Sequence, residues 1–210
     1  MSGDLKLNNV VLSYANLVEP RAFQQGDEAS YSARFMIDPD SEEAKSNLEA
    51  IKKAVAEVKE ETWPGPKKPS LGADRLCYGR MPDDDDRFPG WYFVRAREKE
   101  DYPPTLVANY KDASGKWHIF DRDTERQEAL KLFYSGAHAN VVLRLWGQDN
   151  SWGKRINCHI RAVQFREHGE RLSGFAPVDA DEVFSDDDIP ESGSIADTSV
   201  DYDLDDEAPF

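Results

Sequence analysis

Apolar and polar residues alternate along two stretches in the last third of the ordered-looking part of the chain. Over 139–148, Val141, Leu143 and Leu145 share one face of an extended strand and Val142, Arg144, Trp146 and Gln148 the other. Over 154–165, Ile156, Cys158 and Ile160 point inward, which turns Arg155, Asn157, His159 and Arg161 outward. The connection Asp149-Asn150-Ser151-Trp152-Gly153 suits a hairpin, so the two outward rows become neighbours. Earlier strands are predicted at 10–14, 31–37 and 90–97, with a weaker one at 105–108 before the Asp112-Ala113-Ser114-Gly115 turn. In the 90–97 strand, Tyr92, Val94 and Ala96 suit the core and place Trp91, Phe93, Arg95 and Arg97 outside. Arg34 is a further outward candidate.

The period changes after Ile37. Ala44, Leu48, Ile51, Val55 and Val58 recur at three and four, the stripe of an amphipathic helix, with Asp40 as its N-cap and Glu43 three residues on. Trp63-Pro64-Gly65-Pro66 ends it. Residues 63–90 are dense in Pro, Gly and charge and are expected to form a long, mobile loop. A short helix is predicted over 123–133. The fold class is mainly β, with five or six strands, an amphipathic helix and long loops.

Charge divides the chain in two. The net charge is -15, yet 177–210 holds 13 Asp and Glu and no Lys or Arg; the remaining 26 basic and 28 acidic residues leave the body near -2. The tail's scattered apolar residues share no period and cannot offset its ordering entropy, so 177–210 is expected to be a disordered acidic tail following a folded domain over 1–176. No apolar run reaches the length of a membrane helix, and the Met-Ser-Gly-Asp start lacks the regions of a signal peptide, which points to an intracellular protein. Cys77 and Cys158 stand far apart with no metal-ligand spacing, and no metal or cofactor is expected. The four His residues lie in no nucleophile motif, and neither a phosphate loop nor a dinucleotide fingerprint occurs, so nothing argues for an enzyme.

Outward strand rows that mix guanidinium groups with flat rings suit single-stranded nucleic acid: the cations track phosphates and the rings stack on unpaired bases. The candidate DNA-binding set is Arg34, Trp91, Phe93, Arg95, Arg97, Arg144, Trp146, Arg155, His159 and Arg161. The bland reading is a solvated sheet face with core tryptophans. At the other end, Asp205, Asp206, Glu207, Pro209 and Phe210 form a terminal acidic and aromatic motif suited to a small basic and apolar pocket on a partner.

Several segments together resemble a known family. They are Leu12-Ser13-Tyr14-Ala15-Asn16-Leu17 with Glu19-Pro20-Arg21-Ala22-Phe23, Tyr31-Ser32-Ala33-Arg34-Phe35, Tyr134-Ser135-Gly136, Trp146-Gly147-Gln148-Asp149-Asn150, Gly153-Lys154-Arg155-Ile156-Asn157 and Ala162-Val163-Gln164-Phe165. Their order and spacing are similar to those of bacteriophage-encoded single-stranded DNA-binding proteins, over roughly residues 8 to 176. The resemblance implies an OB-fold, a five-stranded antiparallel barrel elaborated by a helix. It implies binding of single strands with little sequence preference during phage DNA replication or recombination, in the cytoplasm of the infected bacterium. The tail resembles the acidic, Pro-Phe-ending tail of bacterial single-stranded DNA-binding proteins, which docks replication or recombination proteins, although Ala208 stands where that tail has a bulky apolar residue. Homo-oligomerisation stays open. Two rival readings remain: an acidic DNA mimic that inhibits a host nucleic-acid enzyme, suggested by the charge of -15, and a Mg²⁺-dependent nuclease built on Asp83, Asp84, Asp85 and Asp86.

Overall fold

The computed structural model describes residues 4–22 and 24–172, and the tail over 177–210 lies outside the described residues. Eight strands form one sheet. They are β1 (Asp4–Arg21), β2 (Ser30–Ile37), β3 (Tyr78–Arg80), β4 (Tyr92–Lys99), β5 (Thr105–Lys111), β6 (Trp117–Ile119), β7 (His138–Asn150) and β8 (Gly153–Glu167). Helix α1 (Ala44–Thr62) follows β2, and a short α2 (Arg126–Leu132) precedes β7. The order across the sheet is β3-β4-β2-β1-β7-β8-β5-β6. Curling brings β4 alongside β8, so β1, β2, β4, β7 and β8 make an OB-type barrel while β3 and the β5–β6 hairpin extend its edges.

The inward rows fill this barrel. Leu5, Leu7, Leu12, Phe35, Ile37, Val94, Leu143, Ile156 and Ile160 are all buried, matching the alternation expected of β4, β7 and β8. One bulge falls on β8, where Ile160 pairs with Leu143 but Ala162 with Val142. It leaves Arg161 exposed and returns Val163 and Phe165 to the core.

β1 bends round the barrel through register shifts at Leu7/Val10 and Ser13/Asn16, and each shift carries one residue with left-handed backbone: Asn9 at φ 49 and Tyr14 at φ 50. Helix α1 plugs one end of the barrel with Ala44, Ile51, Ala54, Val55 and Val58, Leu48 packing at the margin. Buried Asn47 on the same stripe accepts from the Asn8 N–H at 3.0 Å and donates to the Asn8 carbonyl at 2.8 Å. It replaces the strand partner that the bulge removes.

Local expectations needed three corrections. Asp40 does not cap α1: the helix starts at Ala44 behind Glu43, with no side-chain cap, because Asp38 and Ser41 form a turn of their own. The 63–90 stretch is not all loop, since it contains a single 3-10 turn at Ala73–Arg75 and then β3. The 105–108 strand runs on to Lys111 and turns back into β6.

The last turn of α1 lies directly on β7. A Cβ at Gly147 would stand 2.1 Å from Thr62 Oγ1 and 2.6 Å from Thr62 Cβ, and nearby Trp63 Nε1 donates to Asp149 at 2.8 Å. Gly147→Ala is therefore expected to lower unfolding free energy by about 1–3 kcal/mol through overpacking. Urea denaturation measures this; an unchanged midpoint would mean that α1 does not rest on β7 there.

Candidate nucleic-acid interface

The barrel is closed by side chains more than by backbone. β3 covers only Tyr92, Phe93 and Val94 of the free edge of β4, and Arg95 donates its N–H to the Cys77 carbonyl at 2.6 Å. Beyond that point, Ala96–Lys99 have no strand partner on this edge among the described residues. β8 likewise pairs with β5 only at Ala162, Val163 and Gln164, and meets the other side at a single parallel bridge, Leu76 with Ile156. Between these two bare edges lies a groove of about 680 Å³. It is flanked by the β1–β2 loop and by the β7–β8 turn, the loops an OB barrel uses to bind oligonucleotides.

Cations and rings line this groove. β4 supplies Arg95, Arg97 and Lys99; β7 and β8 supply Trp146, Arg155, Asn157 and His159; the 3-10 turn supplies Arg75. Arg97 is aimed by the base of the β1–β2 loop, donating to Ser30 Oγ at 2.6 Å and to the Glu28 carbonyl at 3.2 Å. Arg95 donates to the Leu76 carbonyl at 2.8 Å. The Trp146 indole, 38% exposed, lies nearly parallel to the His159 ring, with centroids 5.6 Å apart and planes at 17°. At the hairpin tip, Trp152 is 82% exposed and its carbonyl accepts from Arg75 at 3.3 Å.

Acidic groups reach the groove as well. Asp27 and Glu28 stand in the β1–β2 loop, and Asp74 is paired with Arg75 at 3.0 Å. Glu98 is different: only 6% exposed, it ends the inward row of β4 and crosses the gap to within 3.0 Å of His159 Nδ1. The two groups make no hydrogen bond, and the carboxylate packs against the ring that lies under Trp146.

The expected site residues divide into three groups. Arg95, Arg97, Trp146, Arg155 and His159 share the groove. Arg34 and Phe93 lie beside it, in a ladder of alternating rings and guanidinium groups: Tyr14, then Arg34 (5.3 Å from that ring and 5.1 Å from the next), then Phe93, then Arg95 at 5.5 Å. Gly79 makes room for the Phe93 ring, since a Cβ there would stand 2.7 Å from it. Arg144, opposite His159 on β7, is 3.6 Å from Asp4, and Arg161 is exposed at the bulge. Trp91 does not join them: it precedes β4 and packs on Phe88 with centroids 5.1 Å apart. Asp205, Asp206, Glu207, Pro209 and Phe210 lie outside the described residues.

Comparison with known proteins gives this barrel a lineage. The family model of the Enterobacter phage Enc34 ssDNA-binding protein matches residues 3–193. The chain belongs to this family. Protein p50 of Acyrthosiphon pisum secondary endosymbiont phage 1 is 28% identical over 173 residues, 81% of this chain and 86% of that one. Among solved structures, the single-stranded DNA-binding protein from bacteriophage Enc34 in complex with ssDNA is similar with a TM-score of 0.63 at 23% identity, covering 81% of this chain and 90% of that one. A second structure of the single-stranded DNA-binding protein from bacteriophage Enc34 gives 0.62 at 23% identity, covering 87% of this chain and 90% of that one. These likenesses show the OB-type fold.

Sequence reasoning missed Tyr14, Arg75, Lys99, Glu98 and Trp152 as groove or ladder residues. Tyr14 is the most informative of them. Left-handed backbone suits an asparagine, and Asn9 adopts it with its side chain held by Glu43 and His138. A tyrosine there is strained, and the ring it presents is 71% exposed rather than packed. Tyr14→Gly should therefore keep unfolding free energy within about 1 kcal/mol, because relief of backbone strain offsets loss of the ring contact with Arg34. A loss above roughly 2 kcal/mol in a urea titration would make the ring structural.

Proposed function

We propose that this protein binds single-stranded DNA along the open seam between β4 and β8, with little sequence preference, in phage DNA replication or recombination. The observation that carries the reading is that the Trp146–His159 stack lines one groove of about 680 Å³ together with Arg95, Arg97 and Lys99. An exposed ring accepts any base on its face, and the flanking cations meet phosphates without reading sequence. The namesake of the family has been solved with ssDNA, which supports the same ligand class here. The Tyr14–Arg34–Phe93 ladder continues the path away from Arg95.

Of the four carboxylates behind the nuclease reading, those of Asp83 and Asp85 are engaged within their own loop. Asp83 pairs with Arg80 at 2.7 Å; Asp85 accepts from the N–H groups of Phe88 and Arg87, bonds that hold its carboxyl below the usual range. The acidic tail then has two roles open to a polyanion: recruiting replication or recombination proteins through Asp205, Asp206, Glu207, Pro209 and Phe210, and competing with DNA for the cationic groove. The place of action is the cytoplasm of an infected bacterium. Among the described residues no helix is long and apolar enough to cross a membrane.

Tryptophan fluorescence during titration with oligo-dT at several salt concentrations tests the groove. About four to six phosphate contacts at about 0.7 each give a log–log slope of roughly -3 to -4. Trp146→Ala should cost about 1–3 kcal/mol of affinity, and Tyr14→Gly should weaken binding without unfolding the chain. A salt-insensitive affinity, or one unmoved by Trp146→Ala, would place DNA elsewhere.

Ending the chain at Ala176 separates the tail's roles from those of the body. Oligo-dT binding should be equal or tighter without the acidic segment. Abolished binding would turn the reading toward the DNA mimic.

A further inference from the structure

The outward face of the sheet does not stop at the seam. Residues paired across the strands carry it from β7 over β8 to the β5–β6 hairpin: Val142 faces Ala162 and then Thr105, and Gln164 faces Val107 and then Ile119. At its far end Trp117 is 50% and Ile119 59% exposed, and the Lys111 ammonium stands 5.3 Å from the centre of the Trp117 ring. No residue of this hairpin lines the seam. We propose that Lys111 and Trp117 form a second contact for single-stranded DNA, reached by a strand that leaves the seam and runs along the outer face of β8.

Rigidity, packing and charge all fit that ligand. The hairpin turn is pinned by Asp112, which accepts from the N–H groups of Ser114 and Lys116 at 2.8 and 3.0 Å and from the Ser114 hydroxyl at 2.6 Å. Beyond the last β5–β8 pair, Asn109 donates to the Arg166 carbonyl at 3.0 Å and holds the hairpin to β8. On the opposite face of the hairpin Tyr110 stacks on His118 with centroids 5.1 Å apart, and Phe120 meets that ring edge-on. That side is packed, whereas the Trp117 side is open. Between hairpin and seam the floor is apolar, with Val142, Ala162 and Val107, and exposed cations stand along it: Arg161 at the β8 bulge and Lys6 opposite Val142. Bases lie on such a floor and ring while phosphates meet the cations at its margins.

The spacing suits one continuous strand. The path runs from His159 to Gln164 along β8, with one residue spent in the bulge, and from Val107 to Lys111 along the parallel β5. At about 3.3 Å per residue it is about 26 Å long. That is roughly eight nucleotides at the stacked rise of about 3.4 Å, fewer when the strand is stretched, and inside the roughly 4–16 that an OB fold holds. A lysine over a tryptophan across two strands can also serve the hairpin alone. In that case its removal costs stability, whereas a DNA contact costs affinity in proportion to the length of strand that reaches it. The inference rests on the DNA-binding reading of the seam.

The experiment measures, on the full chain, the anisotropy of end-labelled oligo-dT of about 5 and about 16 nucleotides, the first long enough for the seam and the second for both contacts. Trp117→Ala should weaken binding of the longer strand by about tenfold, the low end of one lost base stack, and leave the shorter within about twofold. Trp117→Tyr keeps a ring and should keep the affinity, and Lys111→Gln should reduce the salt slope for the longer strand by about 0.7. Ultraviolet irradiation of the longer strand carrying bromodeoxyuridine should attach it to the tryptic peptide 117–122, which ends at Arg122. Where Trp117→Ala unfolds the chain, the salt slope and the cross-link decide. A peptide 117–122 left unmodified, or equal losses at both lengths, would overturn the contact. So would a Trp117→Ala chain with a lower urea midpoint and unchanged affinity, which assigns the pair to the hairpin alone. If Trp146→Ala weakens both lengths while Trp117→Ala weakens neither, the seam stands and the hairpin contact falls; if the unaltered chain binds neither length, the DNA-binding reading falls and the hairpin contact with it.

Discussion

A five-stranded barrel closes through its backbone only where its two flanking strands can exchange hydrogen bonds along their length. Here β3 takes up the first half of the β4 edge and β5 the last part of the β8 edge, so the remaining halves face each other unpaired. Both additions extend the sheet, and both prevent its closure. Among the described residues the gap is crossed at the Leu76–Ile156 bridge, by Arg75 donating to the Trp152 carbonyl, and by Glu98 against His159. Every feature of the candidate site follows from that gap. It is open to water, so the bare backbone edges stay hydrated rather than stranded, and it is wide enough to admit a ligand that no closed barrel could take.

The contacts across the gap also explain the placement of charge. A carboxylate as buried as Glu98 is costly unless polar groups face it; the Lys99 N–H donates to it at 3.1 Å and the His159 ring lies 3.0 Å away. The carboxylate packs against the ring on which Trp146 lies, so under the proposed function an acid that opposes DNA by its sign would serve binding through position. Arg97 and Arg95 are aimed in the same indirect way, one by Ser30 and the carbonyl of Glu28, the other by Leu76. These cations are oriented by neighbours in the protein alone, and in the proposed function that preorganisation would lower the entropy that binding must overcome.

The outward rows of β7 and β8 were legible because a period of two assigns every residue once a single one is placed, and Val141, Leu143, Ile156 and Ile160 place it. The helix was legible for the same reason at a period of 3.6. What periodicity does not carry is adjacency. That β4 would face β8 across a gap depends on where β3 and β5 pair, and β3 is three residues with no period to read. Tyr14 was hidden because a positive φ at a bulge leaves no mark on the sequence, and Glu98 because a charged residue ending a strand reads as solvated. Trp91 keeps the parity of Phe93 and Arg95 but stands just before β4 and packs on Phe88 instead of lining the groove.

The rival reading of the chain as a DNA mimic turns on where its acids are. Imitating a duplex requires carboxylates fixed at phosphate-like intervals on a rigid surface, because a mobile polyanion gives a diffuse field and no shape. In the barrel, Glu98 is buried against His159, Asp74 is paired with Arg75, and Asp149 is bound to Lys154 and Trp63. Most of the excess negative charge lies instead in 177–210, outside the described residues. The oriented charges of the barrel are the arginines. A whole-chain value of -15 therefore describes the tail, and the surface that meets a ligand at the seam is set by Arg75, Arg95, Arg97, Lys99 and Arg155.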